Sequence, residues 1–304
     1  MTSLLVGSPD HTWREWVKTH RKDRDLLVID PADTNYGTPA RVALIRGEKC
    51  PHWRFIGSLD ATRNPLAVIA GVAAIQEHLR PEWVALLPVY RHTPVIRHLC
   101  LAIAQLLRPE EILVPDATDF EGAGWPVGPQ RVVLEPPFHD LVRSAQRRAR
   151  WIELIEQAIP HEVPLDRVSI EGLRLGSGIE VSAATLARTS PEGALYAESF
   201  GATALIVARH ELSPDQMALA LDLTHAATAT VIAPEAYSGL LCSFADQEGV
   251  DFGMGMLQSI DFERRVAIAR CTAVPPAPVR ILRVGSLRID DTGQELGEIK
   301  PWSA

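Results

Sequence analysis

Cysteine is scarce in this chain. The four that occur, Cys50, Cys100, Cys242 and Cys271, are far apart and form no CxxC pair. That spacing excludes a zinc finger or ribbon, and in 304 residues it argues against a disulfide framework. The cysteines read as small buried residues in a reducing compartment. Basic charge is also in deficit. With 30 Lys and Arg against 38 Asp and Glu, the formal net charge is −8. A body that is basic throughout is therefore excluded, and any nucleic-acid contact would need a local basic patch. No apolar run reaches the roughly 18 residues that span a bilayer, and MTSLLVGSPDHTW (1–13) lacks the basic start of a signal peptide. A cytoplasmic protein with no membrane partner is the expectation. The ten histidines contain no HExxH, and Ser177 in GSG (176–178) lacks the GxSxG of a nucleophile elbow, so it reads as a turn. His92, His98 and His139 read as structural.

The composition, 46% hydrophobic and 22% charged, is that of an ordinary globular chain long enough for two domains. SLLVG (3–7) predicts a strand, the stretch from Thr12 to His20 a helix, and DLLVID (25–30) a second strand. WRFIGSL (53–59) predicts a strand, and NPLAVIAGVAAIQEHL (64–79) a strongly amphipathic helix capped by Asn64 with Pro65 in its first turn. WVALLPV (83–89), PVIRHLCLAIAQLL (94–107) and EEILVPD (110–116) continue the rhythm as strand, helix and strand. A Gly/Pro-rich loop (119–130) holds Trp125, which could stack on a base or anchor the loop. The helix LVRSAQRRARWIELIEQAI (141–159) follows it. Beyond about residue 165 the short alternating runs predict strands joined by turns. The fold class expected is α/β, with a parallel-sheet domain over 1–164 and a smaller β-rich domain over 165–304.

The order of four segments resembles the P-loop RNA/polynucleotide 5′-hydroxyl kinases, whose eukaryotic members act in pre-mRNA 3′-end cleavage, tRNA splicing and pre-rRNA processing. The C-terminal stretch GLLCSFADQEGVDFGMGMLQSIDFERRVAIARC (239–271) is similar to the family's closing domain, with its Gly-Leu-Leu opening, Gly-x-Gly strand and Ile-Asp-Phe-Glu-Arg step. LLVIDPADTNYGTPARVAL (26–44) resembles the strand bearing Asp-x-Asp-x-Gly-Gln, FIGSLDATRNPLAVIAGVAAI (55–75) the Val-Gly-Ser strand and its helix, and VRSAQRRARWIELI (142–155) the arginine-bearing lid helix. The resemblance implies a P-loop-NTPase-like first domain.

The same resemblance implies a degenerate site. A phosphate-binding loop reads GxxxxGK followed by Ser or Thr, and its N–H groups, lysine and hydroxyl serve phosphate and magnesium. The matching stretch here is Gly7 to Arg14, with Asp10 at an acid common in the family. Thr12 replaces the second glycine, Trp13 the lysine and Arg14 the hydroxyl residue, while Pro9 removes an N–H. Tyr90 and its neighbours replace an Asp-Thr-Thr-Gly stretch. Asp30 and Asp33 remain as remnant acids, for a metal or as a base, and Asp30 reads equally as an acid capping the turn after its strand. Arg143, Arg147 and Arg150 share a helix face that could hold phosphate or could be a solvated basic face, and Arg14 with Lys18 makes a second basic pair that reads first as ordinary exposed helix charge. The expectation is a pseudoenzyme that needs no cofactor and binds RNA, DNA or a protein partner. The alternative is an active kinase using ATP and magnesium through a non-standard site.

Overall fold

The computed structural model describes residues 1–6, 10–89, 93–115, 124–134, 140–182, 184–186, 193–272 and 278–299. The chain forms two compact units, Met1–Ile152 and Glu153–Ala304.

The first unit is built on one seven-stranded sheet. Its strands are β1 (Thr2–Leu5), β2 (Asp25–Val28), β3 (Arg41–Arg46), β4 (Lys49–Phe55), β5 (Trp83–Leu86), β6 (Glu111–Pro115) and β7 (Gln130–Val132), in the order β4-β3-β2-β5-β1-β6-β7. β2, β5, β1, β6 and β7 run parallel, whereas β3 and β4 add an antiparallel hairpin at one edge. Successive residues of a strand point to opposite faces, and the parallel strands are apolar on both. Leu4, Leu27, Ala85 and Ile112 face one core, and Leu5, Leu26, Val84 and Leu113 the other. Strands buried on both sides need helices on both sides.

Among the described residues four helices belong to this unit. α1 (Asp10–His20) covers the second core with Trp13 and Val17, and Lys22, in the left-handed region at φ +48°, ends the turn that follows it. α2 (Pro65–Gln76) and α3 (Pro94–Leu107) cover the first core and pack on each other. α4 (Asp140–Gln157) follows β7 and runs on into the second unit. The caps match the sequence reading: the Asn64 side chain accepts from the Ala67 N–H, with Pro65 in the first turn. The expected amphipathicity of α2 does not hold. Its outer face carries Leu66, 78% exposed, with exposed Ala70, Ala73 and Ala74 instead of polar groups. The strand expected over 53–59 lies instead at 49–55, because Ile56 and Gly57 leave the ladder to bond to the Ala40 carbonyl.

The second unit has two sheets. The larger, β18-β17-β14-β15-β16-β8, consists of β8 (Ile159–Pro164), β14 (Leu240–Ala245), β15 (Asp251–Asp261), β16 (Val266–Cys271), β17 (Ile281–Ile289) and β18 (Glu295–Glu298), with β9 (Ser169–Glu171) pairing on β17. The smaller has the order β10-β11-β12-β13, from β10 (Ile179–Glu180), β11 (Ala194–Phe200), β12 (Thr203–Ala208) and β13 (Thr228–Ile232). β12 and β13 are parallel, and a parallel pair requires a crossover. Here it is a helix, α5 (Pro214–Thr224), capped by Ser213 with a reciprocal bond from Gln216. The reading of this region as strands and turns alone is thus corrected. The signal was present in SPDQ (213–216), a capping box with proline in the first helical turn. The unit is as long as the first.

Candidate functional site

A parallel α/β sheet presents its ligand crevice beyond the carboxyl ends of its strands. At that edge β2 leads into the loop 29–37, which its own aspartates hold in shape. The Asp30 carboxylate accepts the Ala32 N–H at 3.0 Å, and the two oxygens of Asp33 accept the N–H groups of Asn35 and Tyr36 at 3.1 and 3.0 Å. Both side chains are buried, at 3% and 5% exposure. Burial, with the Asp30 carboxylate adding to it, pushes the Cys100 thiol of α3 up to about 12. α4 is tied to the same loop, since Arg150 Nε donates to the Thr34 carbonyl at 3.1 Å and Thr34 Oγ1 donates to Gln146 Oε1 at 3.4 Å.

Beside this loop the first unit opens into a cleft of about 920 Å³. α1 lines it with Arg14, Val17 and Lys18, and α4 with Gln146, Ala149 and Arg150. Thr34, Asn35 and Tyr36 close it at the carboxyl edge of the sheet. At the amino edge it is lined by Arg21 to Arg24, by Arg46 and Gly47 of the β3–β4 turn, and by Arg80 before β5. Eight lining residues are Lys or Arg, and one, Asp23, is acidic.

Two of these cations, Arg21 and Arg24, are held by neutral oxygens. Arg21 donates to the carbonyls of Arg24 and Ile45 at 3.0 and 2.8 Å, and its burial lowers its pKa. Arg24 donates to the His20 carbonyl and to Ser3 Oγ. Lys18 makes a loose pair with Glu15 at 3.7 Å across exposed side chains, an arrangement of little energetic weight. Arg14 and Lys22 have no hydrogen bond or ion pair among the described residues. Arg46 and Arg80 are paired with Asp25, which is fully buried at the start of β2. It accepts both Nε and Nη2 of Arg46, at 3.0 and 2.8 Å, and the Arg80 N–H at 3.0 Å. Burial pushes its carboxyl up, but the bonds from Arg46 and Arg80 and their charges outweigh that and hold it below the usual carboxylate range.

The residues singled out from sequence are distributed as follows. Arg14, Lys18 and Arg150 line the cleft. Arg143 and Arg147 lie on the Arg150 face of α4, half-buried, with Arg143 3.7 Å from Asp140. Thr12 is buried at 5% exposure, and Trp13, at 1%, is a core residue packed on β1, β2 and β5. Gly7, Ser8 and Pro9 lie outside the described residues, as do Tyr90, His92 and His139, and Asp10 is described only as the first residue of α1. Trp125 packs against the core under α2 and α3. Ser177 sits in a turn with its hydroxyl on the Arg174 carbonyl. His98 is exposed on α3. The sequence reading missed Arg21, Lys22, Arg24, Arg46 and Arg80. The first three had a local signal, for KTHRKDR (18–24) is a basic run. Arg46 and Arg80 had none.

Among the described residues no cluster of His, Cys, Asp and Glu is placed to hold a metal, and no helix is long and apolar enough to cross a membrane. No protein-family profile matches the chain, and no curated protein matches it. Solved structures do. A complex of Clp1p and Pcf11p, described with a point mutant that loses ATP, matches with a TM-score of 0.54 at 9% identity, over 94% of this chain and 74% of that one. A wild-type Clp1p–Pcf11p complex matches with a TM-score of 0.53 at 10% identity and the same coverage. The chain therefore shares its fold with Clp1p: a mixed α/β architecture with a parallel-rich sheet and further β-sheets.

Proposed function

We propose that this chain is a catalytically degenerate homologue of the polynucleotide 5′-hydroxyl kinases, acting as a binding module for nucleic acid. The observation that carries this reading is the cleft, with eight cations and one acid on a chain of net charge −8. Phosphate contacts supply most of the affinity of such binders, and a local patch suffices where the whole body is acidic. A protein partner is the second branch of the reading, because the two similar structures named above are of Clp1p bound to Pcf11p.

The residues present fit ATP and magnesium poorly. At the position matched to the phosphate-binding lysine stands Trp13, whose side chain belongs to the core. Arg14, matched to the magnesium-binding hydroxyl, is a cation and repels the metal. The Asp33 oxygens are engaged by backbone N–H groups. Loss of one cation at a transferring phosphoryl group reduces rate by roughly 10³–10⁵, and here two catalytic groups are replaced. On this reading no nucleotide cofactor is needed. The alternative, an ATP-dependent 5′-hydroxyl kinase, would use Arg14, Lys18, Arg143, Arg147 and Arg150 on phosphate and Asp30 and Asp33 on magnesium.

Calorimetry with ATP and GTP, with and without magnesium, separates the two. The expected result is no binding at millimolar nucleotide and no phosphorylation of 5′-hydroxyl RNA or DNA. Micromolar, magnesium-dependent binding with turnover that Asp30→Ala abolishes would overturn the proposal in favour of the alternative.

A further inference from the structure

The cleft does not stop at the carboxyl edge of the sheet, where an end-processing enzyme of this architecture would hold a terminal nucleotide. Arg14 and Arg150 lie at the Thr34–Tyr36 end, whereas Arg21, Lys22, Arg24, Arg46 and Arg80 lie at the amino edge. Between them β2 and its continuation from Asp25 to Ile29 rise about 13 Å at 3.3 Å per residue. A single terminal phosphate occupies one end of such a track and leaves the other unused. The chemistry that uses both ends is a flexible chain carrying a negative charge at regular intervals.

We infer that the cleft binds an internal stretch of single-stranded nucleic acid and does not require a 5′ end. The inference rests on the nucleic-acid reading proposed above and adds where the strand lies and what it need not have. Three features favour a nucleic acid over an acidic peptide. Six of the eight cations are arginines, whose planar forks match phosphate oxygens. Arg21 and Arg24 are fixed by backbone carbonyls, so their positions are set before a ligand arrives while their charge stays available. Tyr36, half-buried in the wall, offers a ring on which a base stacks regardless of sequence. Asp25 is a positioning residue: buried, and bonded to Arg46 and to the Arg80 N–H, it holds those two amino-edge residues in place.

The test uses the full chain and fluorescence anisotropy with three forms of one oligothymidylate: linear with a 5′-hydroxyl, linear with a 5′-phosphate, and covalently circular. The three are expected to bind within about twofold of one another, with log K falling linearly with log salt. The slope is about −0.7 for each phosphate neutralised. Lys22→Gln and Arg80→Gln, both at the amino edge, should each flatten that slope by about 0.7. Both side chains are exposed, and the Arg80 backbone bond to Asp25 survives the change. A circle that binds tenfold more weakly than the linear forms overturns the inference. So does a slope that ignores Lys22 and Arg80 yet responds to Arg14→Gln. Preference for a polyglutamate peptide over all three also overturns it and moves the cleft to the protein-partner branch. Magnesium-dependent phosphorylation of the linear form would instead sink the pseudoenzyme reading, and equal binding of the circle would still leave the track in place.

Discussion

Replacing Asp25 by asparagine would keep the shape at the start of β2 and remove the charge that holds Arg46 and the Arg80 backbone. Asp25 is fully buried and the Arg46 side chain is 32% exposed. Breaking a buried pair costs about 3–5 kcal/mol, whereas an exposed pair contributes ~1 kcal/mol or less. Arg46 keeps some water and the amide keeps one acceptor, which places the loss at about 2–3 kcal/mol. For a unit of this size each kcal/mol moves the midpoint by roughly 2–4 °C, so a drop of roughly 4–12 °C is expected at pH 7. Tryptophan fluorescence reports on the right unit, because six of the seven tryptophans lie within residues 1–152. The pH dependence adds a second requirement. The folded carboxyl lies below its unfolded value of about 3.9, so its stabilisation is present above that value and is lost as pH falls through the folded one. The parent loses this contribution on acidification and the variant has none to lose. The gap should therefore narrow below about pH 4. Equal midpoints at pH 7, or a gap that persists undiminished at pH 3, would refute the assignment of Asp25 as an ionised, buried keystone.

Three further outcomes are expected. Trp13→Ala should destabilise the first unit by about 3–5 kcal/mol, as large-to-small changes of buried aromatics do, and Trp13→Lys should do so without creating ATP affinity. A Trp13→Lys chain that stays folded and binds ATP would contradict the placement of that side chain in the core. In the second unit Arg283, 7% exposed, joins Asp251 at 2.7 Å and Glu171 at 2.8 Å. Arg283→Met should lower stability by about 3–5 kcal/mol, seen as faster amide exchange across β14, β15 and β17. Thiol titration should find Cys50 alone reacting in the folded chain, and slowly, because burial raises its pKa. Cys100, pushed up to about 12, Cys242 and Cys271 should react only after unfolding, and prompt reaction of more than one thiol would show the cores to be open.

Much of the first unit was legible because its signals are local. The apolar pairs Leu4–Leu5, Leu26–Leu27 and Val84–Ala85 feed two faces of a sheet and announce strands covered on both sides. Thr93 with Pro94, and Asn64 with Pro65, mark helix starts through backbone groups a few residues away. The failures have equally local causes. α2 looked amphipathic because its apolar positions recur at helical spacing, yet its outer face is alanine, which satisfies helix propensity without marking a surface. α5 was passed over because it is short and lies among strands, so its capping box was outweighed by the alternation around it.

The site divides along a different line. The chain by itself determined that Trp13 and Arg14 stand where the family resemblance would put a lysine and a hydroxyl, and that arginines share one face of a late helix. Identity and spacing along one element suffice for that. Only the tertiary structure decided that Trp13 is a core side chain, and that α1, the KTHRKDR run, Arg46, Arg80 and Arg150 surround one cleft. The reason is topological. Parallel strands joined by crossovers bring the starts of β2 and β5 and the end of the antiparallel β3 to one edge of the sheet. Arg24, Arg46 and Arg80 meet there although more than twenty residues of chain separate each from the next. Charges that are dilute along an acidic sequence become concentrated because strand order, not sequence distance, sets their separation in space.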